Sequence, residues 1–309
     1  MIISASRRTD IPSFYSTWFL NRIREKYVLV PNPFNPKQIS RVRLTPDVVD
    51  CIVFWTKNPA PLLEKLNRLK EFKYYFQFTL NAYGKEIETN LPSFEQRIDT
   101  FKRLSDLIGK EKVIWRYDPI LTNATYNIDF HKTAFTEIAT RLKDHTERCM
   151  IGFIDHYKHI RSSLSSQNIY PLTPEEIREM AFSFRQSISS TSIQLNTCTR
   201  KVDLSTMGIP AGMCIDRELI ERLTGYPIST QKDKNQREVC RCIESIDIGT
   251  YDTCFNGCLY CYANTAEHKP LRNLQKHTPT SPKLIGQVND DDIIKDRAMY
   301  SLRRDPSLF

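Results

Sequence analysis

Apolar and polar positions follow two rhythms along the chain. Runs rich in β-branched and aromatic residues occupy positions 2–6, 49–55, 74–80, 112–116, 150–154 and 192–197, with a seventh at 245–249. Such runs predict strands. Between them apolar residues recur at helical spacing. One face reads Leu62, Leu63, Leu66 and Leu69; another Phe94, Ile98, Phe101, Leu104 and Ile108; a third Ile128, Phe135, Ile138 and Leu142. Thr173-Pro174-Glu175-Glu176 has the form of a capping box with Pro at the first helical position. Asp216 and Gly225 bracket a further short helix. This alternation predicts an α/β fold of βα units around a parallel sheet. Seven strands suit a TIM-barrel-like (βα) barrel, full or partial, better than a short open sheet. The expected barrel spans residues 1–264, with a cysteine-rich loop at 240–264. Residues 265–309 form an extension packed on or trailing from it, with a linker at 277–282 and a short helix within 290–304.

Polar residues gather just past the C-terminal ends of six of these strands. They are Arg7-Arg8-Thr9-Asp10, Thr56-Lys57-Asn58, Gln77 with Thr79 and Asn81, Arg116-Tyr117-Asp118-Pro119, Asp155-His156-Tyr157, and Gln194 with Asn196 and Cys198. Any single strand end is polar because it leaves the core. Six at once, carrying Arg, Lys and Asp, predict a lined pocket at the rim where βα barrels hold their sites. Arg7, Arg8, Asp10, Lys57, Gln77, Asn81, Arg116 and Asp118 are its candidate lining. A guanidinium or ammonium there can hold a carboxylate or phosphate, and a carboxylate can hold sugar hydroxyls.

The chain has 309 residues, 40% of them hydrophobic, which is enough to bury a full core without staples. No apolar stretch approaches the roughly 18 residues of a membrane span. The N-terminal apolar run is too short for a signal peptide, and its arginines follow it. A cytoplasmic protein with no membrane partner is expected. The net charge of +8 comes from scattered basic residues and permits nucleic acid as a partner. In that compartment nine cysteines predict metal ligands or redox groups rather than disulfides. Cys51 and Cys149 fall inside strands and read as small core residues. The sharpest signal is the spacing C-x3-C-x2-C of Cys254, Cys258 and Cys261, with Gly257 allowing a tight turn. Three thiolates are one short of a closed zinc site or a fully ligated iron–sulfur cube. That leaves an open position for a small molecule; the alternative is zinc with a fourth ligand such as Cys242. Cys198, Cys214, Cys240 and Cys242 can form a second centre, either an iron–sulfur cluster or tetrahedral zinc, or serve as buried hydrophobes.

The three-cysteine spacing, with aromatic Tyr260 before the last Cys, resembles the signature of radical S-adenosylmethionine (SAM) enzymes. The resemblance implies that Cys254, Cys258 and Cys261 hold three irons of a [4Fe–4S] cluster and that Tyr260 packs beside it. It implies SAM on the fourth iron, a donor such as ferredoxin or flavodoxin, and radical chemistry after reductive cleavage of SAM. The chain as a whole resembles a prokaryotic family called domain of unknown function 1848. Ser6-Arg7-Arg8-Thr9-Asp10-Ile11-Pro12, Phe54-Trp55-Thr56-Lys57-Asn58-Pro59, Arg116-Tyr117-Asp118-Pro119-Ile120 and Gly212-Met213-Cys214-Ile215-Asp216 carry that likeness. So does the stretch from Lys232 through Cys240-Arg241-Cys242 to Cys261-Tyr262-Ala263-Asn264. Two departures from radical SAM enzymes stand out. The cysteine loop follows the seventh strand instead of the first, which implies a circularly permuted core. No Gly-Gly pair provides the usual Gly-Gly-Glu segment for the SAM amino group, so Thr56-Lys57-Asn58 or Gln77 with Asn81 would stand in. On this resemblance Arg116, Asp118 and Lys57 are the catalytic candidates. Tyr260, Gln77, Asn81, Arg7, Arg8 and Asp10 are the cofactor-binding ones. Arg116-Tyr117-Asp118-Pro119-Ile120 is also similar to a barrel strand of spore photoproduct lyase-like enzymes. The terminal Asp305-Pro306-Ser307-Leu308-Phe309 loosely resembles pentapeptides that dock on the bacterial sliding clamp. Two other classes fit the same residues: a zinc or iron–sulfur protein that binds nucleic acid without catalysis, and an electron carrier.

Overall fold

A strand flanked by neighbours on both sides and layers on both faces is mostly apolar, and the inner strands here are, apart from a few polar residues near their carboxyl ends. The computed structural model describes residues 1–198 and 202–304. Seven parallel strands form the main sheet: β1 (Ile2–Ala5), β2 (Cys51–Thr56), β3 (Tyr74–Thr79), β4 (Val113–Ile120), β5 (Arg148–Phe153), β6 (Gln194–Thr197) and β7 (Ile246–Asp247). Their order is β6-β5-β4-β3-β2-β1-β7. Every strand expected from the pattern is present. The last strand in sequence lies beside the first in space, with Ile3 opposite Ile246. Among the described residues no ladder joins β6 to β7, so the sheet does not close. The full-barrel reading is therefore corrected to an open, seven-stranded α/β sheet. Apolar patterning specifies that strands are buried, not whether the two edges meet.

Five helices carry most of the packing: α1 (Ser16–Glu25), α2 (Phe94–Ile108), α3 (Ile128–Leu142), α4 (Pro174–Ser187) and α5 (Arg217–Thr224). Ser93 and Gln96 form a capping box on α2, and Thr173 and Glu176 form the expected one on α4. Asp216 caps α5, and Gly225 ends it in the left-handed conformation. The apolar stripe of α2 (Ile98, Phe101, Leu104) is fully buried. At roughly 1.5–3 kcal/mol per large side chain, it anchors the helix. On the same side Phe135 of α3 stacks on Phe184 of α4 at 4.2 Å and on Trp115 of β4 at 4.8 Å. Leu62, Leu63, Leu66 and Leu69 are buried as expected, but on a short helix Ala60–Leu63 followed by a separate turn Leu66–Leu69.

Strand residues alternate between faces. Ile2, Cys51, Val53, Tyr75, Ile114 and Met150 pack with Ile215, Leu219 and Ile220, so α5 covers this second face. Ser4, Trp55, Gln77 and Arg116 fall on that face by the same alternation. Polar groups on a largely apolar covered face mark where chemistry can sit.

A ribbon beside the sheet was not foreseen. Tyr27–Pro31 pairs antiparallel with Gln38–Arg43, and Ile293–Asp296 adds a parallel third strand. The expected helix within 290–304 is thus corrected. Ile293 and Ile294 are β-branched and adjacent, and an unpaired edge at Gln38–Arg41 captures them. The expected linker at 277–282 is packed on α1: Trp18 Nε1 donates to the Ser281 carbonyl at 2.9 Å and Arg22 to that of Thr280 at 2.9 Å. The clamp-like peptide at 305–309 lies outside the described residues. Among those residues no helix is long and apolar enough to cross a membrane.

Candidate functional site

The loop after β7 carries Cys254, Cys258 and Cys261, and the segment after β3 holds it in place. Glu88 pairs with Cys258 across an antiparallel bridge. Leu259 N–H donates to the Ile87 carbonyl at 2.9 Å, and Asn90 N–H to that of Asn256 at 3.1 Å. Gly257 sits at φ +66°, where a Cβ would stand 2.9 Å from Asn90 Nδ2. Both the turn and the close approach need glycine there. From the β1 side Asp10 reaches the same loop. Its Oδ2 accepts from Asn256 Nδ2 at 3.1 Å and from Lys57 N–H at 2.8 Å, and its Oδ1 caps a short helix through Ser13 N–H at 3.0 Å. Asp10 is therefore a bracket between loops, with both carboxylate oxygens engaged.

Beside Cys258 lies a buried charge cluster. Lys57 Nζ donates to Glu88 Oε1 at 2.7 Å and to Tyr260 Oη at 2.8 Å. Arg97 Nη1 reaches Glu88 Oε2 at 3.1 Å, Asn81 Nδ2 reaches Oε1 at 3.4 Å, and the Tyr260 hydroxyl donates to Oε1. Burial pushes the Glu88 carboxyl up, but Lys57 and Arg97 outweigh it and hold the group ionised. Burial likewise disfavours the Lys57 ammonium, yet Glu88 and Cys258 raise its pKa. The structure thus joins the expected Lys57, Asn81 and Tyr260 around Glu88, which sequence reading missed. Glu88 stands in a polar loop with no motif around it. Arg97 gave a faint signal, as a charge beside Ile98 on the apolar side of α2.

The three thiols feel one another. Burial raises the pKa of all three, to about 12 for Cys258, and neighbouring thiolates add to the rise at Cys254 and Cys258. Lys57 opposes the rise at Cys258. As bare thiolates they would repel in a dry setting; a bound cation reverses that sign. Among the described residues no three or more His, Cys, Asp or Glu side chains stand ready-made around a single metal-ion position.

The remaining candidates form a second group on the covered face. Arg116, buried, donates from Nη1 to Gln77 Oε1 at 3.3 Å and to Cys214 Sγ at 2.8 Å, and pairs with Asp118 through Nη2. Asp118 is re-aimed by an irregularity between Tyr117 and Ile120, where Pro119 removes a ladder donor. Its main-chain N–H donates to Asn81 Oδ1 at 3.0 Å, linking the two groups. Gln77 Nε2 donates to the Cys214 carbonyl at 2.9 Å. Arg7 and Arg116 both lie over the Trp55 ring, at 5.0 and 5.4 Å from its centroid. The Arg7 Nη2 is buried without a hydrogen-bond partner. Arg8 stands at the margin, over Tyr251 and 4.0 Å from Asp247. Asp247, also missed, gathers Ser4, Ser6 and the Arg7 and Gly249 N–H groups at 2.7–3.0 Å. Cys198, Cys214 and Cys242 adjoin this group, while Cys51 and Cys149 are sealed within strands as expected.

The family described as "Domain of unknown function (DUF1848)" matches over residues 2–263. No curated protein matches the chain, and no solved structure does.

Proposed function

The chain belongs to the domain of unknown function family DUF1848, and we propose that it is a radical SAM-like iron–sulfur enzyme acting at the C-terminal ends of the sheet. One observation carries this reading. The loop bearing Cys254, Cys258 and Cys261 leaves β7 and is tied to the segments after β1 and β3, beside Lys57, Glu88 and Tyr260. In open α/β sheets ligands gather outside the carboxyl ends of the strands. The donor set fits a cubane with one open iron: three thiols mutually destabilised as anions, a lysine opposing that repulsion, and a flanking aromatic ring. When bound, a [4Fe–4S] cluster supplies the electron that cleaves SAM and starts radical chemistry. The position of β7 beside β1 suits a permuted core, since the cysteine loop then occupies the place of one following a first strand.

The residues of this chain do the positioning. Lys57 keeps positive charge next to Cys258 and is itself fixed by Glu88 and Tyr260. Arg7, with its unpartnered Nη2, offers a donor to a carboxylate such as that of SAM. Arg116 and Asp118, locked together, present a charged pair toward a substrate. Asn81 holds the Asp118 backbone and so the rim of β4.

The test is electron paramagnetic resonance of anaerobically purified, dithionite-reduced protein, with and without SAM. A [4Fe–4S]⁺ signal that shifts with SAM and vanishes in Cys254→Ala is expected. A cluster signal indifferent to SAM would leave electron transfer as the function. Protein without iron would overturn the reading and favour a zinc-stabilised binding module.

A further inference from the structure

Two thiols meet away from the 254–261 loop. Cys198 directly follows β6, and Cys214 precedes α5. Their Sγ atoms stand 3.3 Å apart in a thiol hydrogen bond. The backbone sets this approach. Thr197 N–H donates to the Pro210 carbonyl at 3.0 Å, and Gly212 N–H to that of Thr197 at 2.9 Å. Residues 210–212 thus run beside the end of β6 in a parallel bridge, Thr197 opposite Ala211. Gly212 permits it, since a Cβ there would stand 2.8 Å from Asn196 Cβ. Each cysteine is then fixed separately. Cys198 N–H donates to the Ile151 carbonyl at 2.9 Å. The Cys214 carbonyl accepts from Tyr75 Oη at 2.7 Å and Gln77 Nε2 at 2.9 Å, and Arg116 Nη1 donates to Cys214 Sγ at 2.8 Å. Cys198 is half-buried and Cys214 is buried.

We propose that Cys198 and Cys214 are a reversible oxidation site, closing to a disulfide with hydrogen peroxide and reopening with a dithiol reductant. The sulfurs have about 1 Å to travel to a bond of about 2.05 Å. Their two segments already share a bridge, so the bond asks for side-chain adjustment and not for a new backbone path. Charge and access assign the order of events. A guanidinium against a thiol favours its anion, and Arg116 brings one to this pair. Cys198 is the more exposed partner and meets the oxidant. Its thiolate attacks the peroxide: an S–O bond forms, the O–O bond breaks, and the departing oxygen takes a proton and leaves as water. The Cys214 sulfur then displaces the hydroxyl of the sulfenic acid. The S–S bond forms, the S–O bond breaks, and the Cys214 proton leaves with that hydroxyl as a second water. Two thiols and one peroxide become one disulfide and two waters. Exchange with a dithiol returns the electrons and both protons. The consequence reaches the rim. Arg116 then faces a neutral disulfide sulfur, a weak acceptor, and its balance shifts toward Asp118. The site does not rest on the iron–sulfur reading.

The experiment uses the full chain, reduced and desalted without oxygen, then given about one equivalent of hydrogen peroxide. Free thiols are alkylated under denaturing conditions before tryptic digestion. Cys198 and Cys214 fall on separate peptides, 186–200 and 202–217, with no other cysteine on either. These two, joined and lighter by two hydrogens, are the expected main product, and a dithiol should separate them. In urea the same link should be lost among pairings of the nine cysteines. Cys214→Ser should strand Cys198 as a sulfenic acid that dimedone traps. Cys198→Ser should abolish the link and leave Cys214 as an alkylated thiol. If these variants fail to fold, the peptide map of the parent chain decides. The chain carrying Cys254→Ala, Cys258→Ala and Cys261→Ala should behave like the parent, which keeps this outcome apart from the fate of the proposed cluster. Recovery of both cysteines as thiols once the peroxide is consumed would overturn the proposal. So would either one joined to Cys240 or Cys242 instead.

Discussion

A carboxylate as buried as Glu88 must be neutralised by its neighbours, and Lys57, Arg97, Tyr260 and Asn81 do this. Glu88→Gln removes the anion and leaves two buried cations facing an amide. Breaking a buried pair costs about 3–5 kcal/mol, so we expect a loss of about 3 kcal/mol in chemical denaturation. His131 sets a pH limit. It is fully buried, its Nε2–H donates to the Leu121 carbonyl at 2.8 Å, and its Nδ1 accepts from Tyr117 Oη at 2.7 Å. Burial lowers its pKa to about 4. The unfolded chain, with His near 6.5, then binds the proton first, so stability is lost as pH falls from about 6.5 toward 4. It is unaffected above that window. The loss is on the order of 3 kcal/mol. Denaturation at pH 7 and pH 4.5 should show a drop that shrinks by about one proton's worth in His131→Gln.

Loops and caps decide the next scale. At Gly257 an alanine would have to hold φ +66° while pressing on Asn90 and Thr89. The left-handed conformation alone costs about 1–2 kcal/mol. Gly257→Ala should lower stability by at least that much and reduce iron retention, measured by denaturation and iron content together. If iron binding survives unchanged, the turn is not what presents Cys258. At α5, Asp216 accepts from Glu218 N–H at 2.9 Å and Leu219 N–H at 3.2 Å, and pairs with Arg148. Asp216→Ala should cost about 1–2 kcal/mol, and Asp216→Asn much less, because Asn caps nearly as well. Equal losses in both variants would assign the energy to the Arg148 pair instead.

Across the whole molecule, Asp50 joins distant parts. Its carboxylate accepts from Tyr226 Oη at 2.8 Å, Ser301 Oγ at 2.5 Å and Leu302 N–H at 2.8 Å, tying the end of the described chain to the start of β2. Asp50→Ala leaves these donors unsatisfied, at about 1–3 kcal/mol. Hydrogen exchange should speed up around 226 and 300–304 while β3 and β4 stay protected. Uniform exchange across the sheet would show instead that the fold opens as one unit.

The strands, the capped helices and the three-cysteine loop were legible in the sequence because each is a local pattern. Apolar runs, a capping box, and ligands within eight residues need no knowledge of distant chain. What the tertiary structure alone decided is everything set by long-range pairing. Whether the sheet closes depends on its edges, and among the described residues no ladder joins β6 to β7. Whether Ile293–Asp296 becomes a helix or a strand depends on the open edge it finds. Glu88 drew no notice as a polar residue in a loop until Lys57, Arg97 and Tyr260 converged on it from 31, 9 and 172 positions away. Cys198 and Cys214 were visible as residues, but their 3.3 Å approach rests on the segments that follow β6 and precede α5 being brought together. Local propensity writes the elements, and burial of charge and of sheet edges selects how they assemble.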